Sequence, residues 1–214
     1  MTVASPPQIA KPRRSHRRAS SLRVDQRRLA DLLPAQGEWT ADDYLWLTRG
    51  TNHLVELADG WIEVLPMPTE DHQRVALNLV TRLHAWLEPQ GGVVYFAPLR
   101  LRVAERRFRE PDLLALVDAA DARRGNDYWQ GADLVVEIIS PSNADHDRVT
   151  KRAEYAEARI PEYWIVDLDA SCITVLSLEG GVYRDAGVFA RGTVVASTLM
   201  PGLALKVDDV LDPR

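Results

Sequence analysis

The chain has 214 residues, 46% of them hydrophobic and 27% charged, which suits one ordinary globular domain with attachments. No apolar run approaches the roughly 20 residues that a membrane-spanning helix needs, and the basic N-terminus lacks the apolar core of a signal peptide. The one cysteine, Cys172, excludes an internal disulfide and a zinc site built from several cysteines. We therefore predict a cytoplasmic protein without a membrane anchor.

The net charge of −5 is unevenly distributed along the chain. Residues 1–30 carry eight Lys and Arg against one Asp, a net +7, so the rest of the chain carries −12. We predict that residues 1–38 form a basic, disordered arm and residues 39–214 the folded domain. Two interpretations of the arm remain open. It is either a solvated tail, whose place in the natural protein is itself open, or a segment that binds nucleic acid by releasing phosphate counterions.

The first predicted elements are a short helix, a hairpin and a longer helix. Thr40 fits the N-cap of the short helix, because its side chain can accept a hydrogen bond from the first turn. Asp59-Gly60 fits the tight turn of a hairpin over residues 54–65. The longer helix starts after Thr69, carries an apolar stripe on one face, and ends at Pro89.

Strands dominate the middle of the chain. We predict one strand in "VVYFAPLRLRV" (residues 93–103) and a second in "PDLLALVD" (residues 111–118), with a charged turn between them. A loop leads to a third strand, "DLVVEIIS" (residues 133–140), which shows no polar alternation. A strand of this kind is predicted to be buried on both faces.

The last predicted elements alternate between helix and strand. A helix over residues 145–159 precedes the strand "EYWIVDLD", a hairpin turns at Gly180-Gly181, and a short strand and a tail close the chain. The order of helices and strands predicts a mixed α/β sheet domain.

Glu137 stands in the middle of the buried third strand. An unpaired carboxylate there is costly, so we expect a cation nearby, and we expect Glu137→Gln to stabilise the metal-free protein. Asp112 opens the preceding strand directly after Pro111, and consecutive strands are often neighbours. Two adjacent carboxylates suit a hard divalent cation such as Mg²⁺, which binds one or two carboxylates and keeps several waters.

The helix after this strand offers a lysine to the same place. Asp147, Lys151 and Tyr155 recur every four residues and share one helix face, which can fold back onto the strand. A lysine near a metal-bound water can orient it or offset charge that develops on a phosphate. An ordinary exposed pair between Asp147 and Lys151 is the alternative interpretation.

These residues resemble those of known nucleases. Pro111-Asp112 followed by Glu137 in a hydrophobic strand is similar to the PD-(D/E)xK nuclease superfamily. Segments 44–75, 109–118 and 134–167 resemble more closely the Uma-two family of restriction endonuclease-like proteins, and the similarity covers about residues 40–210. The superfamily lysine expected two residues after the glutamate is Ile139 here. The family resemblance implies that Lys151 is its counterpart.

The resemblance implies a restriction endonuclease-like α/β fold, in which helices flank a mixed central β-sheet and additional antiparallel strands are present. It also implies metal-dependent hydrolysis of DNA phosphodiester bonds with Mg²⁺ or Mn²⁺ as the cofactor and DNA as the partner; a homodimer is left open. The implied catalytic residues are Asp112, Glu137 and Lys151, and the implied supporting residues are Glu56, His72, Ser140, Asp147 and Tyr155.

Two supporting residues have alternatives, and so does the function. Glu56 is implied as a third metal ligand but could be an exposed strand residue, and His72 could be a polar helix cap. A non-catalytic binding or regulatory protein that keeps the fold is the alternative function. The −12 charge outside residues 1–30 favours that alternative, because a nuclease usually presents a basic surface to DNA.

Overall fold

The computed structural model describes residues 33–51, 53–139 and 146–212, and in 146–148 the backbone alone. All elements lie in the unit that runs from Ala35 to the C-terminus. Contacts with the first hairpin already begin at Gln36. Its side-chain amide donates to the carbonyl oxygen of Ile62 and accepts from the N–H of the same residue. The end of the predicted arm therefore packs on the hairpin, and the division at residue 38 stays a prediction.

Four helices occur in the described ranges. They are α1 (Ala41–Thr48), α2 (Glu70–Leu87), α3 (Arg152–Glu157) and α4 (Val207–Leu211), with a 3₁₀ turn at Glu88–Gln90 and a π-helical turn at His146–Lys151. The predicted caps are confirmed, since Thr40 accepts from the Asp43 N–H and Thr69 from the His72 N–H. No described helix has the length and apolar character needed to cross a membrane.

Thirteen strands form three sheets in the same described ranges. The strands are β1 (Val55–Ala58), β2 (Trp61–Val64), β3 (Val93–Phe96), β4 (Arg100–Ala104), β5 (Arg107–Arg109), β6 (Leu113–Leu116), β7 (Tyr128–Trp129), β8 (Leu134–Ile139), β9 (Glu162–Asp167), β10 (Cys172–Glu179), β11 (Val182–Ala190), β12 (Val194–Val195) and β13 (Leu205–Lys206).

The largest sheet has six strands in the order β11-β10-β9-β8-β6-β3. β8 and β9 are parallel and the other pairs are antiparallel, so the predicted mixed α/β class is confirmed. β8 lies inside this sheet, and all six of its residues are buried. The prediction of a strand buried on both faces is therefore correct.

Two apolar clusters cover the faces of the six-stranded sheet. On one face, the predicted stripe of α2, including Leu79 and Leu83, packs against Val136 of β8. On the other face, Ile139 of β8 packs with Tyr155 of α3 and with residues of the second sheet. That second sheet has the order β2-β1-β5-β4-β7. β8 is thus enclosed between α2 and the layer formed by α3 and the second sheet.

The structure corrects three predicted elements. Residues 93–103 form two strands in different sheets, with Pro98, which lacks an N–H donor, in the break. The predicted charged turn contains β5, which pairs with β1 and β4. The predicted C-terminal tail contains α4, whose Val210 packs against the core. Contacts between distant segments form all three elements, and local sequence patterns do not report such contacts.

Candidate active site

Asp112 and Glu137 are brought together by strand pairing. Leu113 of β6 lies opposite Val136 of β8, so the same antiparallel register carried one residue further places Asp112 opposite Glu137. The Ile138 N–H donates to Asp112 Oδ2 at 2.7 Å, which holds the carboxylate at the strand mouth. The sequence-based expectation that these two carboxylates are neighbours agrees with this register.

Both carboxylates line a cleft of about 830 Å³. Its walls come from the segment after β2, the start of α2 and the connection between β3 and β4. The ionisable residues that line it, among those described, are Glu63, His72, Glu110, Asp112, Glu137 and Lys151. The cleft therefore contains the three predicted catalytic residues.

Buried polar partners stabilise Glu137 in its apolar strand. Lys151 Nζ lies 3.0 Å from Glu137 Oε1, and the Tyr155 hydroxyl donates to the same oxygen at 2.6 Å. Burial, followed by the charge of Glu137, raises the pKa of Tyr155 well above 10, so its phenol stays protonated and can donate. The predicted shared face of Lys151 and Tyr155 is thus turned towards Glu137. The Lys151 ammonium is thus one compensating cation for Glu137, and the metal ion at Asp112 and Glu137 stays a prediction.

His72 lies in the cleft through a contact with Asp112. Its Nε2 is 3.0 Å from Asp112 Oδ1, at the start of α2. Burial alone would lower the pKa of His72, but the hydrogen bond to Asp112 and the charge of that carboxylate raise it above the ordinary 6.5. The side chain therefore does more than cap the helix: it orients one oxygen of Asp112.

Glu56 lies next to the site but outside the residues that line the cleft. It is fully buried on β1, so the interpretation as an exposed strand residue is wrong. Its oxygens accept from Arg109 at 2.8 Å and from the Glu110 N–H at 2.9 Å, and Lys151 Nζ is 3.7 Å away. Burial would raise the pKa of Glu56, but the charges of Lys151 and Arg109 hold it below the ordinary 4.5. Glu56 is therefore an ionised anchor for two cations.

Arg109 is a central residue that the sequence reasoning missed. It is buried at the end of β5 and binds Glu154 of α3 through two parallel hydrogen bonds of 2.7 Å. Its Nη1 also reaches Glu56 and, at 3.3 Å, Glu63 of β2. Nothing in the local sequence separates it from Arg107 on the same strand. Arg109 joins the first hairpin to the helix that follows Lys151.

Glu110 was also missed, although it adjoins the Pro111-Asp112 motif. It lines the cleft, accepts from the Val55 N–H at 3.2 Å, and has Arg100 Nε at 3.8 Å. Burial raises the pKa of Glu110 from 4.5 to about 7, against the opposing charge of Arg100. This carboxyl therefore exchanges its proton near neutral pH, next to the predicted metal ligand.

The described residues fit a metal site in which the protein supplies only a few of the ligands. No three His, Cys, Asp or Glu side chains in the described ranges are grouped to hold an ion, and Glu56 as a third metal ligand stays a prediction. Two hard carboxylates completed by waters are nevertheless a set that Mg²⁺ accepts. Ser140 and the side chain of Asp147 lie outside the described residues.

Comparisons with known proteins identify the family and the fold of the chain. The model of the Uma2 family, described as "Putative restriction endonuclease", matches residues 41–208. The fold is similar to a crystal structure of a putative nuclease of the DUF820 family from Anabaena variabilis. The two share 19% sequence identity and a TM-score of 0.66 over 81% of this chain and 97% of the other. The predicted restriction endonuclease-like fold is thereby confirmed. A comparison with curated proteins gives no match.

Proposed function

Because the chain belongs to the Uma2 family, we propose that it is a metal-dependent endonuclease that hydrolyses DNA phosphodiester bonds. One observation carries the proposal. Asp112 and Glu137, from neighbouring strands, line one cleft together with the Lys151 ammonium, which lies 3.0 Å from Glu137. Two carboxylates can hold a divalent metal ion, and an adjacent ammonium can stabilise charge that develops on a phosphate, so this arrangement suits metal-assisted phosphodiester hydrolysis.

Asp112 and Glu137 would hold the metal ion, which when bound polarises the phosphate and lowers the pKa of a bound water. The Ile138 N–H and His72 each engage one oxygen of Asp112, so this carboxylate has a defined orientation. Tyr155 engages Glu137 in the same way from α3. These contacts restrict the rotation of both ligands before a substrate arrives.

Lys151 would stabilise the negative charge that develops on the phosphate. Its ammonium lies between the carboxylates of Glu56 and Glu137 and is buried, yet the residue lines the cleft. The low-dielectric surroundings strengthen its interaction with an anion. Lys151 thereby supplies from the following helix the charge that the wider superfamily places two residues after the glutamate.

The proposal is tested by incubating supercoiled plasmid with the purified protein in Mg²⁺, Mn²⁺ or EDTA. We expect nicking or linearisation with either metal, none in EDTA, and loss of cleavage in Asp112→Asn. Asp127→Asn is the matched control, because Asp127 is an exposed aspartate paired with Arg49 outside the cleft. Calorimetry should show weaker Mn²⁺ binding in Asp112→Asn, and unchanged binding would contradict the metal-ligand assignment.

A non-catalytic binding or regulatory role is the second candidate. The cleft lining supports it, because four carboxylates face one lysine among the described residues. A site of this charge repels DNA unless a cation is bound. Metal-dependent DNA binding without cleavage in both the plasmid assay and an oligonucleotide assay would favour this candidate.

A further inference from the structure

The walls of the cleft are apolar on both sides of the carboxylates. Residues 64–68, which include the last residue of β2, form one wall, and residues 96–98, which begin with the last residue of β3, contribute to the other. Met67 and Phe96 are 77% and 59% exposed. With Val64, which is 69% exposed, they line one cleft, and exposed apolar side chains that cluster in this way mark a surface that contacts a ligand or a partner. The apolar walls therefore call for a substrate with flat apolar groups.

The charges of the cleft do not suit a DNA duplex. Lys151 is the only lysine or arginine among its described lining residues, while Glu63 and Glu110 add negative charge beside the two proposed metal ligands. A duplex presents two phosphate backbones, which proteins normally meet with several lysines and arginines. One ammonium and a bound metal ion can serve one phosphate of one strand.

The size of the cleft leads to the same conclusion. Its volume of about 830 Å³ lies in the range of sites for small molecules, and Asp112 and Glu137 are largely enclosed within it. Paired bases in a duplex are stacked and shielded by two backbones. Bases of an unpaired strand can be splayed apart and placed against aromatic or apolar side chains.

We propose that the cleft binds an unpaired segment of DNA, with its bases on residues 64–68 and 96–98 and its phosphate beside Lys151 and the metal ion that Asp112 and Glu137 would hold. The inference rests on the proposed nuclease function and specifies its substrate class. Free single strands and single-stranded flaps next to a duplex share this chemistry. Phe96 is the stacking residue and Met67 the opposing apolar contact.

The test compares labelled DNA of one sequence as a single strand, as a blunt duplex and as a duplex with a single-stranded flap. Cleavage is measured with Mn²⁺, and binding is measured by fluorescence anisotropy. We expect the single strand and the flap to be cut at least about tenfold faster than the blunt duplex. Phe96→Ala should weaken single-strand binding roughly 5- to 100-fold, the value of one base–aromatic stack. Trp46→Ala, an aromatic residue on α1 that is 68% exposed and lies outside the cleft lining, should leave it unchanged.

The outcomes separate this inference from the nuclease proposal. Equal cleavage of the blunt duplex and the single strand would overturn the inference while leaving the nuclease function intact. Unchanged single-strand binding in Phe96→Ala would overturn it as well. If no substrate is cut, the nuclease proposal fails, and the binding data alone test the inference about unpaired DNA. Tighter binding of the single strand that is lost in Phe96→Ala would support the inference. Equal binding of all three DNAs would overturn it.

Discussion

At the scale of single residues, the site consists of buried charges that stabilise one another. Lys151 interacts with both Glu137 and Glu56, and Tyr155 adds a hydrogen bond to Glu137. From the sequence we expected Glu137 to have no charged partner in the metal-free protein, so that Glu137→Gln would stabilise that form. The structure reverses that expectation, because the substitution leaves the buried Lys151 ammonium with Glu56 as its remaining described carboxylate partner.

The ion pair can be tested by a double-mutant cycle. We expect Glu137→Gln and Lys151→Met each to lower the free energy of unfolding by about 3–5 kcal/mol, because each removes one charge of a buried ion pair. The double variant should lose less than the sum of the two, since it removes both charges together. Urea unfolding of the four proteins in EDTA measures the coupling. Strictly additive losses would show that the two charges do not interact.

Glu110 gives a prediction about pH. The pKa of Glu110 in the folded protein is about 7 against an ordinary 4.5, so the unfolded chain releases this proton at lower pH than the folded one does. The contribution of this group to stability therefore falls as pH rises from 4.5 to about 7. Glu110→Gln keeps an acceptor for the Val55 N–H. The free energy of unfolding of this variant, relative to that of the original chain, should rise by about 2 kcal/mol as the pH goes from about 5 to about 8. Urea unfolding across this range measures the gain, and a constant difference would contradict the prediction.

At the scale of elements, Arg109 connects three of them. From β5 it reaches Glu56 of β1, Glu63 of β2 and Glu154 of α3. The helix that carries Tyr155 is therefore tied to the first hairpin by hydrogen-bonded ion pairs. This connection fixes the distance between Lys151, which directly precedes α3, and the carboxylates of the cleft.

Replacing Arg109 should therefore be costly. We expect Arg109→Ala to reduce the free energy of unfolding by about 3–5 kcal/mol, because it removes the cation that pairs with buried Glu154 and one of the two cations at buried Glu56. Arg107→Ala is the matched control on the same strand. Arg107 likewise reaches the turn between β1 and β2 through Asp59 and α3 through Glu157, but these two carboxylates are exposed. The control should lose at most about 1 kcal/mol, and similar losses in thermal or urea unfolding would refute the proposed role of Arg109.

The role of Lys151, which lies outside the strand of Glu137, can be tested by placing a lysine at position 139 of that strand. Position 139 is two residues after Glu137 on β8, so its side chain projects from the same face of the sheet. We expect Lys151→Met to abolish cleavage and the added Ile139→Lys to restore a part of it, measured on single-stranded and plasmid DNA. Recovery should be incomplete, because Ile139 is buried in an apolar cluster where a lysine is unfavourable. Full activity of Lys151→Met alone would exclude Lys151 from catalysis.

At the scale of the whole molecule, the N-terminal segment and the rest of the chain carry net charges of opposite sign. Residues 1–30 carry +7 and the remainder −12, so the basic segment is the part of the chain best suited to sequence-independent contacts with phosphates. The family and the fold are established, whereas DNA as a substrate, the metal ion, a dimer and a cytoplasmic location stay predictions.

Deleting residues 1–30 tests this division of charge. We expect the melting temperature to change by less than about 2 °C, because the segment has little apolar surface to contribute to a core. DNA binding should weaken, and its dependence on salt concentration should become less steep. A full-length chain with glutamine at the eight Lys and Arg positions controls for length. Identical salt slopes for all three proteins would show that these cations do not contact DNA.

The sequence by itself determined the elements that local patterns control. The cap at Thr69 and the apolar stripe of α2 are set by spacing within one helix, and the burial of β8 follows from its uninterrupted apolar run. The acidic pair and the lysine were also predictable, because Asp112 and Glu137 lie in consecutive strands and Lys151 shares a helix face with Tyr155. In each case the relevant neighbours lie close together along the chain or in adjacent strands.

Only the tertiary structure decided which charges meet in the interior. Arg109 binds Glu154 and Glu56 across 45 and 53 positions of sequence. The pKa of Glu110 is raised by burial. This carboxyl group accepts a hydrogen bond from the N–H of Val55 on β1, which lies 55 positions away in the sequence. Strand pairing and packing set these contacts, and a charged residue on an isolated strand carries no local sign of the partner that will stabilise it. The same packing brings the ammonium of Lys151 to Glu137.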